Sequence, residues 1–277
     1  MPVTRFAPSP TGLLHLGHAH SALFARAMAG SGGAMLLRLE DIDITRCRPE
    51  FAAAIEADLA WLGLSWPEPV RRQSAHFAEY RQALDRLIAD GLAYPCFCTR
   101  AQLAAAMAAP HAGEPIYPGT CRMLAPDERA QRIAAGAAHG WRLDVAVALA
   151  RTGPLVWRDL DRGMIAAAPL DCGDVLIARK DIPASYHLAV TWDDAVQQVE
   201  LVTRGDDLFA ATHIHRLLQA LLDLPVPVWR HHRLLLDAEG RRFAKRDRAR
   251  TLAAMRADGA SAAAVRAAAG FPDQPAA

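Results

Sequence analysis

The run from Pro2 to His18 constrains the fold more than any other part of the chain. Residues 2–7 (PVTRFA) read as a short buried strand, and the turn Pro8-Ser9-Pro10-Thr11-Gly12 closes it. Helical spacing then runs from about Leu16 to Ala29 and stops at Gly30–Gly33. A strand that turns directly into a helix puts the turn at the carboxyl end of the strand, where open α/β sheets bind ligands. His15-Leu16-Gly17-His18 lies at that junction. Gly17 lets a nucleotide approach the backbone, and a helix N-terminus favours phosphate. Two imidazoles three residues apart share a helical face and can donate to an α-phosphate as it becomes five-coordinate.

The alternation continues. AMLLRLE (34–40) reads as a second apolar strand closed by the acidic cluster Glu40, Asp41 and Asp43, and helices fit 49–63 and 74–90. This predicts an α/β fold with a Rossmann-like parallel sheet. From about Leu92 to Pro183 the pattern gives way to cysteines, Pro/Gly turns and short segments, with strands expected at 141–147 and 173–179. A helix near 185–197, a strand at 199–205, a helix from about 206 to 223 and a strand at 228–236 restore the core pattern. The expected organisation is a catalytic core of residues 1–91 and 184–246, split by an inserted zinc-containing subdomain at 92–183. Residues 247–277 form a short Ala-rich helical tail that frays at its end.

Composition adds three points. A chain of 277 residues can hold a large core plus an insertion, and a net charge of +1 gives no strong nucleic-acid field, though a local basic face stays open. Of the 31 basic residues only Lys180 and Lys245 are lysines, which points to places where a compact ammonium is wanted rather than a fork. No signal pattern and no apolar run of membrane length occurs, so a cytoplasmic protein without membrane contact is expected.

Five cysteines, an odd number, argue against a disulfide framework. Cys96-Phe97-Cys98 and Cys121 can supply three thiolates to a tetrahedral zinc; by ligand chemistry alone His111 is the natural fourth donor. Cys47 and Cys172 read as ordinary free thiols. His213 with His215, two apart on a helix, and His231 with His232, adjacent on a strand, do not share faces and read as structural.

Arg5-Phe6-Ala7-Pro8-Ser9-Pro10-Thr11-Gly12, His15-Leu16-Gly17-His18 and Leu37-Arg38-Leu39-Glu40-Asp41-Ile42-Asp43 together resemble the glutamyl branch of the class I aminoacyl-tRNA synthetases. Ser185-Tyr186-His187-Leu188-Ala189, Asp193-Asp194 and Val202-Thr203-Arg204-Gly205-Asp206-Asp207-Leu208 extend the resemblance, which spans residues 5 to about 246. It implies a class I synthetase core that joins glutamate to ATP as an adenylate. Arg5, Phe6, Ala7, Pro8, Ser9, Glu40, Tyr186 and Arg204 would bind glutamate, while His15, Gly17, His18 and Lys245 would bind ATP. His15, His18 and Lys245 would carry the catalysis. The glutaminyl relatives typically have P-E-P-N-G where this chain has P-S-P-T-G, which favours glutamate. The K-M-S-K-S-like loop is reduced to Arg242-Phe243-Ala244-Lys245-Arg246, with Lys245 in the second lysine position. The zinc-containing members favour Tyr117 over His111 as fourth ligand, giving one structural zinc on Cys96, Cys98, Tyr117 and Cys121.

About thirty residues follow Lys245, too few for the helical anticodon-binding domain of a standard glutamyl enzyme. With the E-D-I-D run at Glu40–Asp43, this resembles the truncated paralogues that couple glutamate to the queuosine base of tRNA(Asp). The partners then implied are ATP with Mg2+, L-glutamate and tRNA(Asp) carrying queuosine, with the protein a monomer. The alternatives are a stand-alone catalytic body charging the 3′ end of tRNA(Glu), a nucleotidyltransferase acting outside tRNA, and a non-catalytic tRNA-binding paralogue.

Overall fold

A computed structural model of the chain describes residues 1–99, 101–102, 116–235 and 250–272. The elements in order are β1 (Thr4–Phe6), α1 (Leu16–Ala29), β2 (Met35–Leu39), α2 (Pro49–Trp61), β3 (Arg71–Arg72), α3 (Phe77–Ala89) and β4 (Ala93–Cys96). There follow α4 (Pro126–Ala134), β5 (Gly140–Leu143), α5 (Val145–Thr152), β6 (Val156–Asp159), β7 (Gly163–Ala166) and β8 (Leu176–Ala178). The described chain closes with α6 (Tyr186–Val196), β9 (Leu201–Gly205), α7 (Ala211–Leu221), β10 (Val228–His232), α8 (Leu252–Ala257) and α9 (Ala262–Ala268).

β1 and β2 pair in parallel, from Thr4 opposite Met35 to Phe6 opposite Leu37, and β3 adds in parallel beside β2. β9 and β10 pair in parallel along their whole length, with β6 parallel on the far side of β10 and β7 antiparallel at the edge. The two groups meet at Val3, whose carbonyl accepts from the N–H of Glu200 at 3.0 Å and of Leu201 at 3.1 Å. The carboxyl ends of β1, β2 and β9 thereby converge, carrying the Ala7–Gly12 turn, Glu40 and Gly205 to one place.

Helix α1 is amphipathic by composition: Ala19, Ala22, Leu23 and Ala25 are buried, and small alanines let it lie close against β1 and β9. Leu23, Leu37, Leu39, Ile55 and Leu59 form one apolar cluster, which α8 and α9 close from outside with Leu252 and Val265. A second cluster joins Tyr80, Leu84 and Leu87 of α3 to Leu188 of α6 and to Ile214, Leu217 and Leu218 of α7. Leu143 and Ile177 of the antiparallel sheet β4-β5-β8 belong to it as well, so that small sheet is packed directly on the core helices. Of the segment 92–183, β4, β5 and β8 make their own sheet, whereas β6 and β7 extend the sheet of β9 and β10.

Several expected elements differ in extent, two of them most clearly. The strand anticipated over 141–147 stops at Leu143, because Asp144 caps a helix by accepting the Val147 N–H at 3.2 Å. The helix anticipated from about 206 to 223 is a short 3-10 turn, Asp206–Leu208, followed by α7. Among the described residues no helix is long and apolar enough to cross a membrane.

Candidate active site

The turn after β1 is held at both ends. Pro8 O accepts the Glu40 N–H and Pro10 O accepts the Arg48 N–H, each at 3.0 Å, which ties the turn to the exit of β2 and the start of α2. His15 is the N-cap of α1. Its Nδ1 accepts the Gly17 N–H at 3.1 Å, and the Nδ1 of His18 reaches back to accept the His15 N–H at 3.1 Å. This is a reciprocal capping box built from two imidazoles instead of Ser and Glu. A ring nitrogen that accepts an N–H carries no proton, so in both neutral rings the proton sits on Nε2. The ring centroids are 3.8 Å apart, and no acidic residue in the first turn quenches the positive end of the helix dipole.

Behind the turn lies a buried ionic group. Arg5 Nε donates to Asp194 Oδ1 at 3.0 Å and its Nη1 donates to Thr203 O at 2.8 Å. Arg38, fully buried, donates to Asp194 at 2.8 Å and lies 3.8 Å from Asp193 and 3.6 Å from Glu40. Asp193 in turn accepts from Arg71 and Gln73 at 2.8 Å and from Tyr80 at 2.9 Å. Burial pushes Asp194 up, but Arg5 and Arg38 outweigh it and hold its carboxyl below the ordinary range. Burial wins at Glu40: against the pull of Arg38 and Arg5 its pKa is pushed up to about 7.

Arg204, at the end of β9, is held differently. Its Nε donates to His231 Nε2 at 3.3 Å, its Nη1 to His215 Nδ1 at 3.1 Å and Tyr186 Oη at 3.5 Å, and its Nη2 to Thr212 Oγ1. All of these partners are uncharged, and among the described residues no carboxylate stands within ion-pair distance of it.

A cavity of about 840 Å³ connects these groups. Arg5, Glu40, Tyr186 and Arg204 line it together with the stretch Phe6–Ser9, and so do His15, Gly17 and His18. The structure thus brings to one cavity every glutamate-site and ATP-site residue named from the sequence except Lys245. Lys245, with the whole Arg242–Arg246 loop, lies outside the described residues.

The cysteine cluster is some distance along the chain, at the end of β4. The Sγ atoms of Cys96, Cys98 and Cys121 lie within 4.8 Å of one another, and Cys98 and Cys121 are 3.5 Å apart. Tyr117 Oη lies 3.6 Å from both Cys96 and Cys98. Tetrahedral ligands about 2.3 Å from a zinc ion stand about 3.8 Å from one another. Four donors already converged to such spacings fit that ion. His111 lies outside the described residues. Arg142 donates to Cys96 Sγ at 3.3 Å and stacks on the Tyr117 ring at 3.7 Å, supplying positive charge beside the thiol group. Cys47 and Cys172 are in no disulfide; their thiols face the carbonyls of Glu40 and Ala210.

Several residues at this site carry little sign of it in the sequence. His215 and His231, read as structural, both contact Arg204. Thr212 and His215 are buried polar residues three apart on α7, a signal that one face of this helix meets a polar site and not only an apolar core. His20 and His232 also line the cavity, with ring centroids 4.8 Å apart, although they are distant in sequence. Ser185 Oγ is buried, lines the cavity and has no hydrogen-bond partner among the described residues.

Comparison with known proteins agrees with this geometry. The family described as tRNA synthetases class I (E and Q), catalytic domain, matches residues 2–268. A glutamyl-Q tRNA(Asp) synthetase of Rhodobacter capsulatus is 47% identical over 95% of this chain and 98% of its own length. One from Symbiobacterium thermophilum is 44% identical over 93% and 82%. The crystal structure of a glutamate-tRNA synthetase from Elizabethkingia anophelis superposes with a TM-score of 0.75 at 27% identity, covering 89% of this chain and 53% of that one. The chain belongs to the E and Q family of class I tRNA synthetases, and its sequence places it with the members named glutamyl-Q tRNA(Asp) synthetase.

Proposed function

We propose that the chain activates L-glutamate with ATP and transfers it to the queuosine base of tRNA(Asp). The observation that carries the first half is the joining of two unlike sites in one cavity: the imidazole pair at the head of α1, and a pocket with Arg204, Arg5 and Glu40 on its wall. Glutamate has two carboxylates and one ammonium. Arg204 offers a cation that no carboxylate among the described residues has claimed, and Glu40 offers an anion for the ammonium. Relatives of matching length named for the queuosine reaction support the second half.

In the first step a glutamate carboxylate oxygen attacks the α-phosphorus of ATP, and pyrophosphate leaves. The Nε2–H groups of His15 and His18 donate to the α-phosphate oxygens as negative charge grows there, and the helix N-terminus adds its dipole. Lys245 is assigned the charge of the departing phosphates. In the second step a hydroxyl of the queuosine cyclopentene ring attacks the adenylate carbonyl, and AMP leaves. Magnesium enters with ATP as part of the substrate, where it shields phosphate charge. Zinc on Cys96, Cys98, Cys121 and Tyr117 would have no open position and would serve as a cross-link between β4 and the 117–121 turn.

Glutamate-dependent ATP–pyrophosphate exchange tests the first step, and absence of exchange with or without tRNA overturns the reading. Labelled glutamate offered to tRNA(Asp) with and without queuosine tests the second. Labelling is expected only with queuosine; equal labelling of both, or labelling of tRNA(Glu) alone, rejects it. Lys245→Ala is expected to lower exchange by at least about tenfold, and full exchange removes Lys245 from the mechanism.

A further inference from the structure

The buried cations of the cavity wall are held in two ways. Arg5 and Arg38 are anchored by carboxylates: Arg5 by Asp194, and Arg38 by Asp193, Asp194 and Glu40. Arg204 is buried to the same degree as Arg5, yet imidazole, hydroxyl and phenol groups hold it.

The hydrogen bonds leave those imidazoles little choice of state. His231 lies between a group that can only accept, Asp159 Oδ2 at 2.7 Å from Nδ1, and a group that can only donate, Arg204 Nε at 3.3 Å from Nε2. Its one proton is therefore on Nδ1 and the ring is neutral. His215 Nδ1 accepts from Arg204, so its proton is on Nε2, which faces His187 Nδ1 at 3.2 Å. Burial lowers the pKa of both rings, that of His231 to about 4, consistent with the same assignment.

We propose, on the reading of Arg204 above as a glutamate-binding cation and with the side-chain carboxylate as its partner, that His215 and His231 are positioning residues that fix its guanidinium through neutral acceptors, so that its whole charge is kept for that carboxylate. A carboxylate in their place would orient Arg204 equally well but would also neutralise it. Uncharged anchors leave a buried cation whose best partner is an incoming anion, and a glutamine amide cannot satisfy it. The two histidines thereby set selection of glutamate over glutamine without touching the substrate.

The test compares, by pyrophosphate exchange, His215→Phe and His231→Phe with His215→Asn and His231→Gln, which return an acceptor at Nδ1 and Nε2 respectively. For the Phe variants the glutamate KM is expected to rise about ten- to hundredfold, the scale of one hydrogen bond to a charged group. The ATP KM should stay within about twofold, and the preference for glutamate over glutamine should fall by about tenfold or more. The Asn and Gln variants should recover most of both. An unchanged glutamate KM, or glutamate and ATP KM values rising together without rescue, overturns the proposal. His215→Asp is the decisive variant should the Phe variants not fold, because it gives Arg204 a counter-ion and favours folding. It should still lose glutamate affinity and selectivity, and retention of both overturns the proposal. Arg204→Leu run in parallel separates the two levels: if it uses glutamate normally, the reading of Arg204 itself is wrong. If it fails while the histidine variants behave as wild type, only the present proposal falls.

Discussion

At the scale of single residues, the cavity wall is a set of charges whose values depend on their neighbours. Glu40 shows this most directly. Its pKa of about 7 means the anion that meets the substrate ammonium is lost as pH falls through neutrality. The kcat/KM for glutamate in pyrophosphate exchange is expected to fall about tenfold per unit below pH 7, and Glu40→Gln should be low throughout, without that limb. The same shift has a stability consequence. Because the folded pKa lies above the ordinary value of 4.5, burial stabilises the protonated form, and this contribution is lost as pH rises from about 4.5 through 7. Glu40→Gln should therefore be more stable than wild type at pH 8, by on the order of 1–3 kcal/mol, and nearly equal at pH 4.5, as measured by urea unfolding. Asp194 behaves oppositely, since it holds two guanidinium groups. Asp194→Asn leaves buried positive charge uncompensated and should cost about 3 kcal/mol in urea unfolding, with a raised glutamate KM.

At the scale of elements, much was legible in the sequence because local chemistry decided it. The helix from Leu16 to Ala29 is bounded by the turn before it and the glycines after it, and the strand at 35–39 by its apolar run. Arg5, Glu40, Tyr186 and Arg204 were readable as a group through family resemblance, and the fold does bring them to one cavity. The share that was not legible depends on contacts between distant segments. The apolar run WRLDVAV reads as a strand, and one aspartate, Asp144, converts its second half to a helix. The histidines under Arg204 come from α7 and β10, and spacing within either element gives no hint that His215 and His231 meet over the same guanidinium. The cysteine cluster is an element-scale feature too, since its donors bridge β4 and the 117–121 turn. Metal analysis should find one zinc per chain, Cys121→Ser should lose it, and chelation should lower the melting temperature. Tyr117→Phe is expected to weaken zinc retention against a competing chelator, whereas full retention in that variant together with loss in His111→Ala would move the fourth ligand to His111.

At the scale of the whole molecule, the two halves of the catalytic sheet and the C-terminal helices are held to one another around the cavity. Thr251 pairs with His15 across an isolated bridge, and the Leu252 N–H donates to Leu14 O at 2.8 Å, so α8 is tied to the head of α1. Leu252 is fully buried. Leu252→Ala should cost about 2–5 kcal/mol by urea unfolding and raise the ATP KM, because it loosens the helix whose backbone is tied to the head of α1. The bond between Arg5 and Asp194 spans 189 residues of sequence, and Arg38 reaches 156 residues to the same carboxylate. On a ribosome adding about 5–20 residues per second, roughly 10–40 s separate the synthesis of Arg5 from that of its partner. Through that interval Arg5 and Arg38 are both without the Asp194 carboxylate that they share in the folded protein. Competence to hold the amino acid thus arises late in synthesis, once α6 with Asp194 and β9 with Arg204 have both been made, and a chain stopped before Asp194 lacks both.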